Sequence, residues 1–197
     1  QTIIMADKVE NIMEKMMDEL MYYKNEEIFS KSEIKKIVKS RRDQEYQMQR
    51  KDAALSYFLE AIKFEQSLER NKVKRKKQLS KGRHDKMDNC IKRRVMHLYD
   101  RSCRKYKQNK MLWKEYMYYL LRVKSYQKLN RVVSSAVALH PSTIEFWLIG
   151  VYTELDVRGN LFSSRNLFLQ ALRMNENREE FYLEYLKFEL RFLEKVQ

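Results

Sequence analysis

Residues 112–121 read LWKEYMYYLL and residues 146–155 read FWLIGVYTEL, so a tryptophan-led aromatic phrase occurs twice. Trp113 and Trp147 are 34 positions apart, and a further aromatic residue, Tyr182, follows after 35 positions. Chance, two unrelated core helices and a structural repeat are the three possible explanations. A period of about 34 residues is typical of helix-pair repeats, in which each unit is one helix–turn–helix.

Small residues repeat with the same period in the segments between these phrases, at Ser102, Ala136 and Ala171. Two independent ladders with one period favour the structural repeat, because a single helix pair cannot bury its aromatic face unless it stacks on the next pair. An earlier unit places Phe58 at the lead aromatic position and Glu65 seven residues later. The residues expected to build the repeat are Trp113, Tyr116, Ala136, Pro141, Trp147, Glu154, Arg165, Phe168, Ala171, Tyr182 and Glu189.

The composition predicts an all-α protein. The 197 residues include three glycines and one proline, and 44% are hydrophobic and 35% charged. Few hairpin turns can be built from so little glycine and proline, whereas amphipathic helices suit this mixture. Ser30 and Glu33 predict a capping box at one helix start. We expect N-terminal helices in residues 1–83 and an antiparallel helix-pair solenoid in residues 84–197, with its last repeat truncated.

An acid–base pair is predicted inside one helix pair. Glu154 and Arg165 are both present in one unit, while Leu120 and Asn130 replace them in the unit before. Such joint replacement favours a direct interaction between the two side chains across the helix pair.

The net charge of +14 is concentrated in the first half of the chain. Residues 1–110 contain 29 Lys and Arg against 17 Asp and Glu, and residues 111–197 contain 12 against 10. A basic half of this kind suits an acidic partner such as nucleic acid. RNA phosphate contact, nuclear import and a solvated helix end remain open for the candidate basic residues, which are Arg41, Arg42, Lys72, Lys74, Arg75, Lys76, Lys77, Lys81 and Arg83.

Two parts of the chain resemble a known repeat family. SRNLFLQAL, residues 164–172, and Pro141 are similar to the second helix and closing proline of the HAT (half-a-tetratricopeptide) repeat. FSKSEIKKIVKSRRDQEYQMQRK, residues 29–51, and YFLEAIKFEQSLERNKVKRKK, residues 57–77, resemble the N-terminal region of HAT-repeat small nucleolar RNA-associated proteins. The resemblance covers about residues 5–75 specifically and the rest through the repeat pattern. Members of the family that it resembles are much longer, and residues 181–197 read as a first helix without its partner, so the chain is expected to be an N-terminal fragment or short isoform. Met5 looks like a natural start, which leaves open whether residues 1–4 are native.

The resemblance implies a non-catalytic scaffold of the nucleolar small-subunit processome, which acts in pre-rRNA processing and 18S rRNA maturation. Its implied partners are other subunits of the UTP-B subcomplex, with pre-rRNA or snoRNA possible, and its implied location is the nucleus and nucleolus. Two alternatives are a tetratricopeptide-like adaptor that binds peptides and a HAT-repeat factor of splicing or mRNA 3′-end processing. For the adaptor, the candidate groove residues Asn130, Arg131 and Arg165 are sparse.

No catalytic residue, cofactor, small-molecule substrate or membrane partner is expected. Three glycines leave no phosphate-binding glycine loop, and the best apolar stretch, residues 111–123, is interrupted by charges. Cys90, His97 and Cys103 lie within 14 residues but lack the close cysteine or histidine pairs of a zinc site. We therefore expect no metal.

Overall fold

The computed structural model describes residues 2–79 and 86–196, which form helices joined by short turns and, in this part of the chain, no strand. None of these described helices is long and apolar enough to cross a membrane. The predicted all-α class is confirmed. The helices are α1 (Thr2–Glu14), α2 (Met17–Asn25), α3 (Lys31–Met48), α4 (Leu55–Gln78), α5 (Cys90–Lys105), α6 (Lys110–Arg122), α7 (Tyr126–Leu139), α8 (Ile144–Tyr152), α9 (Leu161–Met174) and α10 (Glu179–Val196), with a 3₁₀ turn at Lys86–Asn89 and a π-helical segment at Thr153–Val157.

The chain forms two compact units, Gln1–Tyr106 and Lys107–Gln197. In the first unit α1 and α2 pack on α3, α3 packs on α4, and α4 packs on α5. In the second unit each helix from α6 to α10 packs on the next, which is the arrangement of stacked helix pairs. The boundary predicted between residues 83 and 84 lies outside the described residues and stays a prediction.

Short polar side chains determine where several helices begin. The Ser30 backbone N–H donates to Glu33 Oε2 at 2.8 Å, and the Glu33 N–H donates to Ser30 Oγ at 3.3 Å. The predicted capping box at the start of α3 is therefore confirmed. Asn109 accepts from the Leu112 N–H at 3.1 Å and caps α6 in the same way.

The two lead tryptophans occupy equivalent positions in the second unit. Trp113 is 7% exposed and Trp147 is 1% exposed. Each indole N–H donates to the carbonyl oxygen six residues earlier, from Trp113 to Lys107 at 2.9 Å and from Trp147 to Pro141 at 2.8 Å. The burial and the repeated hydrogen bond show that the two phrases build the same local structure.

The third lead residue, Tyr182, lies at the surface, and the residue before it, Phe181, is buried. Phe181 and Phe188 are 0% exposed, whereas Tyr182 is 46% exposed. Residues one apart on a helix point about 100° away from each other, which allows these two neighbours to differ in burial. Phe181 follows Phe146, which is also 0% exposed, by 35 residues, the same spacing that separates Ala136 from Ala171. The register of the repeat is therefore unchanged, and only the burial expected of Tyr182 is wrong.

The small residues of the second ladder are all fully buried. Ser102, Ala136 and Ala171 each have 0% exposure, and Phe168, three residues before Ala171, also has 0%. Small side chains at these positions let neighbouring helices approach closely, while the large aromatics fill the remaining space.

Replacing Phe181 and Tyr182 separately tests which of the two side chains packs in the core. Phe181→Ala should lower the free energy of unfolding by about 3–5 kcal/mol, because it empties a buried aromatic site. Tyr182→Ala should change it by less than about 1 kcal/mol, since that ring is half-exposed. Chemical denaturation followed by circular dichroism measures both. A larger loss for Tyr182→Ala than for Phe181→Ala would contradict the burial of Phe181.

Candidate nucleic-acid interface

The basic run at the end of α4 begins with a lysine that points inward. Lys72 is 3% exposed, and its ammonium group donates to the Asp88 backbone carbonyl and lies 3.8 Å from Asp88 Oδ1. Burial lowers the pKa of Lys72, and the nearby Asp88 charge opposes that shift. Because its charged group is buried, Lys72 is not accessible to RNA or to an import factor in this structure.

Arg75 and Lys76 are held by acidic neighbours. The Arg75 guanidinium makes two hydrogen bonds to Glu33, at 2.7 and 2.8 Å, and a third to the Ile28 carbonyl at 3.0 Å. Lys76 donates to the Asp88 carboxylate. Both side chains are only partly exposed, so their first role in this structure is to fix the end of α4 against α3 and the 3₁₀ turn.

Three of the predicted basic residues present their charge at the surface. Lys74 and Lys77 are exposed on α4, and Arg42 on α3 has a 45% exposed side chain, 3.7 Å from Glu10. Lys81 and Arg83 lie outside the described residues. Among the described candidates, Lys74, Lys77 and Arg42 are the ones that remain accessible to an acidic ligand.

Arg41 corrects the sequence-based prediction, because it lies inside the first unit with 0% exposure. Its guanidinium donates to both carboxylate oxygens of Glu65, at 2.8 and 2.9 Å, and to Glu19 at 3.2 and 3.3 Å. Burial opposes the charge on Arg41, but Glu65 and Glu19 outweigh it and raise the pKa of the guanidinium. A buried, doubly paired arginine cannot also bind phosphate.

The ion pairs of Arg41 extend into a network that joins α2, α3, α4 and α5. Arg94 donates to Glu65 at 2.8 Å and lies 3.4 Å from Glu45, and Arg101 donates to Glu45 at 2.8 Å. The sulfur of Met16 accepts from Arg94 at 3.2 Å. Arginine and glutamate charges balance within this network, which is made of Glu19, Arg41, Glu45, Glu65, Arg94 and Arg101.

The predicted pairing of Glu154 with Arg165 is wrong. Arg165 donates instead to Glu189 at 2.9 Å, and Glu154 accepts from Arg158 at 2.8 Å and from Asn130 at 2.5 Å. The sequence did contain a signal for the real pairing, since the partners in Arg41–Glu65, Asn130–Glu154 and Arg165–Glu189 are each separated by 24 residues. The pairing therefore joins the second helix of one pair to the first helix of the next pair.

A basic pocket at the end of α5 was not found by the sequence analysis. Its volume is about 380 Å³, and its lining contains three cations and no acidic side chain. The Lys105 ammonium donates to the Lys51 carbonyl at 3.1 Å, and the Arg104 side chain is exposed. The run DRSCRKYK, residues 100–107, was the available signal. The pocket is lined by Met48, Phe58, Arg101, Arg104 and Lys105.

The residues weighed for zinc lie along a single helix. Cys90 is at the start of α5 and Cys103 is near its end, about 20 Å apart at 1.5 Å per residue. Burial, with a smaller contribution from Asp100, raises the pKa of the Cys103 thiol to about 12. No group of three or more potential metal ligands is found in residues 2–79 and 86–196.

Comparison with known proteins finds one family. Residues 13–95 match the family model for "U3 small nucleolar RNA-associated protein 6". The protein of that name from Schizosaccharomyces pombe is 30% identical over 193 residues, which cover 98% of this chain and 40% of the relative. The "U3 small nucleolar RNA-associated protein 6 homolog" of Homo sapiens is 28% identical over 194 residues, covering 98% and 32%. The Dictyostelium discoideum homolog is 23% identical over 190 residues, covering 95% and 30%. The chain thus spans well under half the length of these relatives.

Acid should remove the contribution of Glu33 to stability. The hydrogen bond from Arg75, followed by that from the Ser30 backbone, lowers the pKa of Glu33 from 4.5 to about 2. Because the pKa is lower in the folded state, this contribution is complete above about pH 4.5 and is lost as the pH falls towards 2. For a side chain that is about one-third exposed, we expect it to be worth about 0.2–1 kcal/mol.

The measurement is the free energy of unfolding against pH for the parent chain, Glu33→Gln and a control, Glu60→Gln, which alters an exposed residue of α4. The difference between the parent and Glu33→Gln should shrink between pH 4.5 and 2. A difference that stays constant over that range would show that Arg75 does not stabilise the charged form of Glu33.

Double-mutant cycles test the corrected pairing of Arg165. Replacing Arg165 and Glu189 together should give a non-additive change in stability, because the two side chains contact each other. Replacing Arg165 and Glu154 together should give an additive change. Coupling between Arg165 and Glu154 that exceeds the coupling between Arg165 and Glu189 would contradict the observed geometry.

Proposed function

We propose that this chain, which belongs to the U3 small nucleolar RNA-associated protein 6 family, is a non-catalytic scaffold of the nucleolar small-subunit processome. In this role it supports pre-rRNA processing and maturation of the 18S rRNA. The observation that carries the proposal is similarity over nearly the whole chain to proteins of fungi and animals that are named for association with U3 small nucleolar RNA.

The stacked helices support a scaffold role through protein–protein contacts. Helix repeats present extended surfaces on which several partners can assemble. On α10, Leu183, Leu186 and Leu190 are 58–62% exposed and follow helical spacing, so they form one apolar row. A contiguous exposed apolar row is typical of a surface that another protein covers. Processome subunits, including those of the UTP-B subcomplex, are the partners that we propose for such surfaces.

Two basic patches of the first unit support contact with the RNA backbone. The α4 patch consists of Lys74 and Lys77, and the α5 patch consists of Arg104 and Lys105 beside the basic pocket. Phe58 lines that pocket, and Lys76 lies between Lys74 and Lys77. These two residues of α4 are 18 positions apart, so the two patches are about 27 Å apart along the helix. We propose that the patches contact phosphates of pre-rRNA or snoRNA without reading their sequence, because lysine and arginine bind phosphate through charge.

Charge reversal of each patch tests the RNA contact. Lys74→Glu with Lys77→Glu, and Arg104→Glu with Lys105→Glu, should each weaken binding to a labelled single-stranded RNA. The slope of log affinity against log salt should become shallower by about 0.7 for each phosphate that the variant no longer neutralises. Helix content, followed by circular dichroism, should be retained because all these residues favour helices.

A matched control carries Arg131→Glu and Arg173→Glu, which reverse two exposed charges in the second unit. It changes the net charge equally and should bind RNA like the parent. If the control weakens binding as much as the patch variants do, the attraction comes from overall charge and the patches are not an RNA site.

The nucleolar role and the import alternative are separated in cells. We expect the tagged chain to concentrate in the nucleolus and to co-purify with U3 small nucleolar RNA and processome subunits. If Lys74 and Lys77 act in import instead, their reversal leaves RNA binding in vitro unchanged, and a grafted import signal restores nuclear location. A parent chain that stays diffuse in the cytosol and co-purifies with none of these molecules would refute the scaffold proposal.

A further inference from the structure

A groove lies within the second unit, between α7, the end of α8 and α9. Its volume is about 490 Å³. The walls are mostly apolar and include Val133, Val137, Trp147 and Leu167. Its dimensions suit one long side chain of a partner, together with part of the backbone that carries it.

Gly150 keeps the helices close together beneath this groove. A Cβ atom at this position would lie 3.0 Å from Leu167 Cδ2 and 3.0 Å from Val133 Cγ1. Contacts of that length force the neighbouring side chains to move, so glycine is what allows α7 and α9 to approach α8 here. The groove therefore lies above a tightly packed floor.

Glu154 lines the groove with an unused acceptor. The residue is 6% exposed, and its Oε1 atom accepts from Asn130 at 2.5 Å and from Arg158 at 2.8 Å. Within the part of the chain that the structure describes, the Oε2 atom is buried and has no hydrogen-bond partner. A buried carboxylate oxygen without a donor is costly, and a ligand that supplies an N–H recovers that cost.

The two equivalent carboxylates show what is missing at Glu154. Glu65 accepts from Arg41 through both of its oxygens, and Glu189 accepts from Arg165, in each case from the residue 24 positions earlier. At Glu154 that residue is Asn130, whose side chain is shorter and carries no charge. The position that an arginine occupies in the other pairs is thus incompletely filled here, next to the free oxygen.

We propose that this groove binds an arginine side chain presented by a partner protein. The guanidinium donates to Glu154 Oε2, and the aliphatic part of the side chain packs against the apolar walls. A planar guanidinium fits a carboxylate better than an ammonium does because it can donate two parallel hydrogen bonds.

The existing contact with Arg158 is compatible with a second guanidinium. Arg158 binds Oε1 from a side chain that is 43% exposed, and within the described residues Oε2 has no partner. Because Oε2 is buried, binding of the ligand requires a side-chain shift that opens this atom to the groove. The same protein already holds one carboxylate between two arginines, since Glu65 accepts from both Arg41 and Arg94 at 2.8 Å. An arginine from outside would therefore complete an arrangement that the first unit makes internally.

The test uses the complete chain with N-acetyl-arginine methylamide as the probe and the matching citrulline derivative as a neutral probe of the same shape. The Trp147 indole resonance reports binding because this residue lines the groove. The arginine probe should shift that resonance in a saturable way, and the citrulline probe should not. In Glu154→Gln the affinity should fall about tenfold or more, as expected when a hydrogen bond between two charged groups is removed.

Asn130→Arg should supply the missing guanidinium internally, raise the melting temperature and abolish the probe response. Ser135→Arg is its matched control, because it adds the same charge to an exposed position of α7 that does not line the groove. This control should respond like the parent. An equal response to the citrulline probe, or an unchanged response to the arginine probe in both Glu154→Gln and Asn130→Arg, would overturn the proposal.

Discussion

The first unit depends on a buried guanidinium, that of Arg41, held between Glu19 and Glu65. These three residues belong to α3, α2 and α4, so one cation fixes the relative positions of three helices. Taking these charges out of water is costly, and the cost is met only while every partner stays in place. Removal of a single partner from such a network typically costs about 3–5 kcal/mol, because a buried charge is left uncompensated. The packing of α2 to α5 therefore requires all members of this ion-pair network to stay paired.

The second unit uses the same spacing of partners with less burial. Arg165 and Glu189 form the equivalent pair nearer the surface, with side chains that are 49% and 20% exposed. Asn130 and Glu154 occupy the same two positions, but the neutral Asn130 stands where the other pairs have an arginine. The consequence is a groove that carries an unsatisfied acceptor, so a change that weakens the internal pairing creates a place for a partner. One structural relationship thus serves stability in one unit and, as we propose, recognition in the other.

Several of the candidate basic residues do not present their charge at the surface. Arg41 and Lys72 lie inside, and Arg75 and Lys76 are paired with carboxylates. Lys74 and Lys77 keep exposed charges on α4, and Arg104 and Lys105 are exposed at the end of α5. The two patches proposed for RNA contact lie about 27 Å apart along α4.

The sequence by itself determined the helical class, the 34-residue period and the start of α3, because these follow from composition, aromatic spacing and the local capping chemistry of Ser30 and Glu33. Which aromatic of Phe181 and Tyr182 is buried needed the orientation of α10, since both fit the period within one residue. The partners of Arg41, Glu154 and Arg165 also needed the tertiary structure. Charged side chains have the same signature in sequence whether they face water or a buried carboxylate, and only the packing of neighbouring helices decides between the two.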